Sequence, residues 1–143
     1  MTDPGALLGP LDALGPYVEI LLVVLVGVNV LTRLLADRSY REQAGTGLSL
    51  TRYLPHEVSN VLLVLTSFYY LTYDYHAGMV LSVLVVSLVV VDFFEFEARA
   101  VEARRDDPLE RPKAALVGSA LVLGYVLYTT VFFVVRPIWD AIV

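Results

Sequence analysis

Ala114–Val135, AALVGSALVLGYVLYTTVFFVV, runs without one charged side chain. A bilayer core about 30 Å thick needs roughly 20 apolar residues at about 1.5 Å each, and this segment is long enough. It carries no polar stripe at helical spacing, so a water-facing side is missing and a buried helix of a soluble bundle does not account for it. The stretch predicts a transmembrane helix.

Three more segments read the same way. Tyr17–Ala36 is charge-free from Ile20 to Thr32, Leu54–Tyr73 from Val58 onward, and Tyr75–Glu97 up to Val91, where it meets Asp92. Strands fit poorly. None of these blocks alternates apolar and polar residues, and an open sheet in lipid would leave backbone groups unpaired. The composition agrees, at 57% hydrophobic and only 17% charged. The mean hydropathy is +0.69. A chain of 143 residues holds one domain. The fold class expected is all-α, a four-helix transmembrane bundle forming a single integral membrane domain over 1–143. Its helices are expected at about 17–36, 54–73, 75–97 with a cytoplasmic extension to about 106, and 114–136. Asp107-Pro108 stops that extension.

Arginine and lysine give the direction of threading. Arg33, Arg38, Arg41 and Arg52 belong to the first connection. Arg99, Arg104, Arg105, Arg111 and Lys113 belong to the third. Nine of the ten bases therefore lie on one side, and only Arg136 on the other. These loops are short enough for the positive-inside rule, which puts both connections in the cytoplasm and both termini outside. Phe68, Tyr69, Tyr70, Tyr128, Phe132, Phe133 and Trp139 read as an outer aromatic belt. Residues 1–16, with leucines between Gly-Pro pairs, are expected to lie along that outer surface. They hold no Lys or Arg and no cleavage pattern, so the first helix is expected in the mature protein. The expected location is the cell membrane, in multi-pass form.

Polar residues inside the spans are expensive and gather in one layer. Asn29, Thr32 and Arg33 lie toward the inner end of the first helix. His56, Glu57, Ser59 and Asn60 open the second, and Asp92 and Glu95 close the third. Counting along each helix puts Arg33, His56, Glu57 and Asp92 about 9–12 Å to the cytoplasmic side of its midpoint. The candidate polar cluster is thus Asn29, Arg33, His56, Glu57, Asn60, Asp92 and Glu95. Its bland reading is preferred: helix caps, snorkelling, and an Arg33–Asp92 pair that locks the bundle. A proton- or ion-handling site is the alternative, since histidine titrates near neutrality. Polar groups would have to continue through the middle for transport, and the sequence offers no matching outer cluster. Glu19 reads as interface-exposed.

Several chemistries are excluded. The chain has no cysteine, so disulfides and thiolate sites are ruled out. His56 and His76 sit at opposite ends of the spans and cannot both ligate one haem. The only lysine, Lys113, is outside the spans, so a retinal Schiff base has no anchor. His56-Glu57 lacks the second histidine of the helical zinc motif. Gly45-Thr46-Gly47 has no phosphate-loop lysine and reads as a flexible turn. No cofactor, no metal and no catalytic residue is expected. The net charge of −5 argues against nucleic acid.

A second candidate feature is a helix-packing face of small residues: Gly78 and Ser82 on the third helix, with Ala114, Gly118, Ala120 and Gly124 on the fourth. Small residues four apart let helices approach closely in lipid. Packing within the bundle is the preferred use. Four helices bury little, so besides the lipid bilayer a second copy or another membrane protein is expected as partner.

The run LVLTSFYYLTYDYH over Leu63–His76 leads on to VDFFEFEAR over Val91–Arg99 and EARRD over Glu102–Asp106. With these the chain resembles small membrane proteins of haloarchaea that share a domain of unknown function. The likeness reaches from Gly9 to Trp139 and fits the excess of arginine over lysine. It implies a small helical membrane protein and supplies no activity. The expected function is a non-enzymatic accessory or structural subunit of a membrane complex; the alternative is a small transporter or proton/ion-conducting unit using the inner cluster.

Overall fold

The structure, a computed structural model, describes residues 17–47, 49–109 and 111–142. The interfacial segment expected at 1–16 lies outside the described residues. Four helices follow in order: α1 Val18–Gly45, α2 Leu54–Tyr73, α3 Tyr75–Arg104 and α4 Lys113–Ile142. There is no strand among the described residues.

Three of the four, α1, α3 and α4, are long and apolar enough to cross a membrane. The exception, α2, has 20 residues and carries His56, Glu57, Ser59 and Asn60 in its first two turns. Each helix packs against two neighbours in a ring, α1 against α2 and α4, α3 against α2 and α4. Large apolar side chains face outward on all four, including Ile20, Leu31, Leu65, Val83 and Leu121. A water-soluble domain does not present apolar surface on this scale, whereas lipid solvates it well.

Two helices run further than hydropathy suggests. α1 continues past Ala36 to Gly45, because residues 37–45 are polar but helical in spacing: Arg41 pairs with Asp37 at 3.1 Å and Arg38 with Glu42 at 3.4 Å. It stops at Gly47, whose φ of +77° favours glycine. α4 continues through Pro137 to Ile142. α3 ends at Arg104, near the expected limit.

The α2–α3 turn is made by Asp74 alone. Its amide donates to the Tyr70 carbonyl at 2.8 Å, and its carboxylate accepts from the Ala77 amide at 3.2 Å. So tight a turn presses α3 onto α2. A Cβ at Gly78 would fall on the backbone of Leu71 and Tyr70, and glycine is required there.

The main core lies between the helices and is built from Leu22, Val26, Leu63, Leu81, Val85, Val122 and their neighbours. A second, smaller cluster at the end carrying the basic connections joins Ala36, Tyr40 and Leu109, with Tyr53 and Phe96 against it. Tyr40 meets Phe96 edge-on at 5.2 Å and accepts from the Tyr53 amide at 3.1 Å. This cluster ties the overhangs of α1 and α3 to the α1–α2 connection.

Candidate functional site

Arg33 sits at the centre of the ring, 2% exposed, and reaches across it. Its Nη2 donates to Asp92 Oδ2 at 2.8 Å and its Nε to Asp92 Oδ1 at 3.3 Å, a two-pronged pair between α1 and α3. Its Nη1 donates to Asn29 Oδ1 at 3.0 Å and also to Ser119 Oγ on α4. Asn29 passes the connection to α2, with Nδ2 donating to Asn60 Oδ1 at 2.7 Å and to Ser59 Oγ at 3.1 Å. Asn60 Nδ2 closes the loop by donating to Asp92 Oδ2 at 3.0 Å. His56 lies beside it, with Nε2 2.6 Å from Asp92 Oδ2 and Nδ1 2.9 Å from Thr32 Oγ1. All four helices thus meet in one hydrogen-bonded layer.

Of the seven residues singled out in sequence, Asn29, Arg33, His56, Asn60 and Asp92 form this layer. Glu57 and Glu95 stand beside it. Glu57 pairs with Arg52 at 3.5 Å, and Arg52 continues to Glu97 at 3.1 Å while stacking on Phe93 and Phe96, at 4.7 and 4.3 Å from the ring centres. Glu95 Oε1 accepts from the amides of Ala114 and Ala115 at 3.0 and 3.2 Å, so α3 caps the start of α4. Its Oε2 is buried with no partner among the described residues.

A second tie crosses the ring. Arg99 of α3, also buried, pairs with Asp37 of α1 one layer nearer the basic connections. Between the two ion pairs lies a cavity of about 20 Å³, lined by Arg33, His56, Glu57, Asp92, Glu95 and Arg99 among others. It has room for about one water. A small-molecule substrate needs hundreds of Å³. Among the described residues no group of three or more His, Asp or Glu is arranged to hold a metal ion.

The far end of the bundle corrects two expectations. Tyr70, read as part of an aromatic belt, is 1% exposed, and its hydroxyl donates to Glu19 Oε1 at 2.8 Å. Glu19, read as interface-exposed, is partly buried, and its Oε2 has no partner among the described residues. Tyr128, Phe132 and Trp139 do face outward.

The small residues do not act as one face. Gly78 and Ser82 are buried between α2 and α3, and Gly118 packs on Leu88 of α3. Ala115 and Ser119 point into the bundle, whereas Ala114, Ala120 and Gly124 are exposed. Ser119 gives Arg33 its α4 partner and would have been found by treating it as an intramembrane polar residue rather than a small one.

These features define a small all-helical protein of membrane type, pinned by a buried polar layer and without a substrate-sized cavity at that layer. A family model described as a domain of unknown function, DUF7313, matches residues 3–143, and the chain belongs to that family. No curated protein is significantly similar to it. No solved structure matches it either.

Proposed function

We propose that the chain is a non-enzymatic membrane subunit, a four-span scaffold that supports a larger membrane assembly, with both ends outside and the basic connections in the cytoplasm. One observation carries this reading: the polar groups of the inner layer are spent on one another. Arg33, Asp92, Asn29 and Asn60 each hold partners within the layer, which ties α1, α2, α3 and α4 together. A site built for chemistry leaves groups facing a cavity that a substrate can enter. Here the cavity is the size of a water. α2 belongs with the spans because it packs along α1 and α3, and Val61, Leu62, Leu65 and Phe68 give it the same outward apolar face. Ala120 and Gly124, exposed on α4, are suited to close contact with another helix in lipid.

The test combines assembly and flux. In native membranes the protein is expected to migrate as an assembly larger than the single chain, and Ala120→Leu with Gly124→Leu is expected to release it as the chain alone. In proteoliposomes it is expected to leave an imposed pH gradient as long-lived as in protein-free vesicles. A single chain in native membranes, or a gradient that the protein collapses, overturns the reading. Single cysteines at Thr46 and Asp74, probed with an impermeant thiol reagent on intact cells, test the threading: position 74 is expected to react and position 46 to stay silent.

A further inference from the structure

Thr32 stands between two acceptors with one hydrogen to give. Its Oγ1 is 3.0 Å from the Asn29 carbonyl oxygen and 2.9 Å from His56 Nδ1. At the other edge of the imidazole, Nε2 approaches Asp92 Oδ2 to 2.6 Å. That oxygen already accepts from Arg33 and Asn60. With Arg33 and Asn60 both donating to it the carboxylate is ionised, so it acts as an acceptor and the hydrogen in the short contact belongs to Nε2.

Nδ1 is then left with two complete arrangements. In neutral His56, Nδ1 is bare and accepts from the Thr32 hydroxyl. In charged His56, Nδ1–H donates to Thr32 Oγ1, and the Thr32 hydrogen turns to the Asn29 carbonyl. Neither state strands a buried polar group, so neither carries the cost of an unmade bond at a buried group. We propose that His56 is a proton-binding site, held by Asp92 and switched by the Thr32 hydroxyl, that loads from the side of the basic connections. This is independent of whether the chain supports an assembly.

Loading consumes one hydronium and releases one water; one N–H bond forms at Nδ1, one hydroxyl turns, and no other group changes charge. The charged groups facing the imidazole balance it. Arg33 comes from α1, Asp92, Glu95 and Arg99 from α3, and Glu57 from α2 itself, with Tyr40 the remaining titratable group along the cavity wall. Among the described residues α4 supplies only the neutral Ser119 to the layer. Arg33 and Arg99 are matched by Asp92 and Asp37, so Glu95, with one buried oxygen free of partners among the described residues, is the anion left to offset the added charge. The cavity admits about one water and no larger ligand. Toward the other end Leu22, Val26, Leu63, Leu81 and Val85 fill the bundle, interrupted by the hydroxyls of Ser67, spent on the Leu63 carbonyl, and Ser82, too few to relay a proton, so the site loads from one side and does not conduct.

Histidine nitrogen NMR on the full chain in nanodiscs reads both ring positions, with the exposed His76 replaced by Gln. Through a descending pH series, Nε2 is expected to stay protonated while Nδ1 passes reversibly from bare to protonated, at constant helical circular dichroism. Asp92→Asn is expected to keep Nδ1 bare over the whole range. Should that variant fail to fold, Thr32→Val and Thr32→Ser carry the test. Valine removes the partner of the charged ring, whose hydrogen bonds are about twice as strong as neutral ones, so its proton affinity is expected to fall roughly tenfold below that of the serine variant. One unchanging ring state in the wild type, a bare Nε2 at high pH, or equal titration in the valine and serine variants overturns the proposal.

Discussion

Replacing Arg33 with methionine tests the central claim about what holds the bundle. Methionine keeps much of the length of the side chain and removes the guanidinium, with its four hydrogen bonds to Asp92, Asn29 and Ser119. The larger harm falls on what is left. Asp92 remains an anion at 14% exposure, with only His56 and Asn60 to satisfy it. Breaking a buried ion pair from one side costs about 3–5 kcal/mol, because the surviving charge is stranded. Membrane helices stay helical when they separate, so the assay is loss of tertiary packing: heating in mild detergent, followed by near-ultraviolet circular dichroism of the tyrosines. A loss of that size corresponds to a melting temperature lower by on the order of 10 °C for a chain of this length. Arg38→Met is the control, since its pair with Glu42 is exposed on both sides, at 79% and 71%. Such pairs are worth well under about 1 kcal/mol. Arg33→Met with Asp92→Leu should recover part of the loss, because the stranded charge goes too. If Arg33→Met melts within a degree or two of Arg38→Met, the polar layer is not what pins the four helices.

Two further perturbations probe other joints. Gly78→Ala puts a methyl group onto the backbone of Leu71 and Tyr70, and is expected to destabilise by about 1–3 kcal/mol as α2 and α3 are forced apart; an unchanged melting temperature would contradict the close approach. Arg52→Lys keeps the charge but loses the flat group stacked on Phe93 and Phe96, and is expected to speed amide exchange in the connection before α2 several-fold while leaving the α2–α3 turn as it was; uniform exchange in both would show that the clamp is not local.

Depth along each helix was legible in the sequence, and rotation about its axis was not. Counting residues from the span midpoints put Arg33, His56 and Asp92 in one layer, and the structure joins them. The same count puts Glu57 there too, and Glu95 joins the cluster as the neighbour of Asp92 one turn on, yet packing turns Glu57 toward Arg52 and Glu95 toward the first amides of α4. Asp92 and Glu95 lie three residues apart on one helix face, and still reach different partners: one meets the centre of the ring, the other the end of a neighbouring helix. Hydropathy likewise marked where α1 leaves the apolar layer and missed that it continues, although Asp37–Arg41 and Arg38–Glu42 are helical pairs visible in the sequence. Tyr70 and Glu19 failed for the same reason as Glu95. An aromatic ring near a helix end lies in the belt or in the core according to which way the helix faces. Here Gly78 draws α3 against the α2 backbone at Tyr70, and the tyrosine is buried where it can meet Glu19. A glycine with no chemistry of its own thus lets α3 approach α2 beside Tyr70, a contact that neither hydropathy nor a count of depth registers.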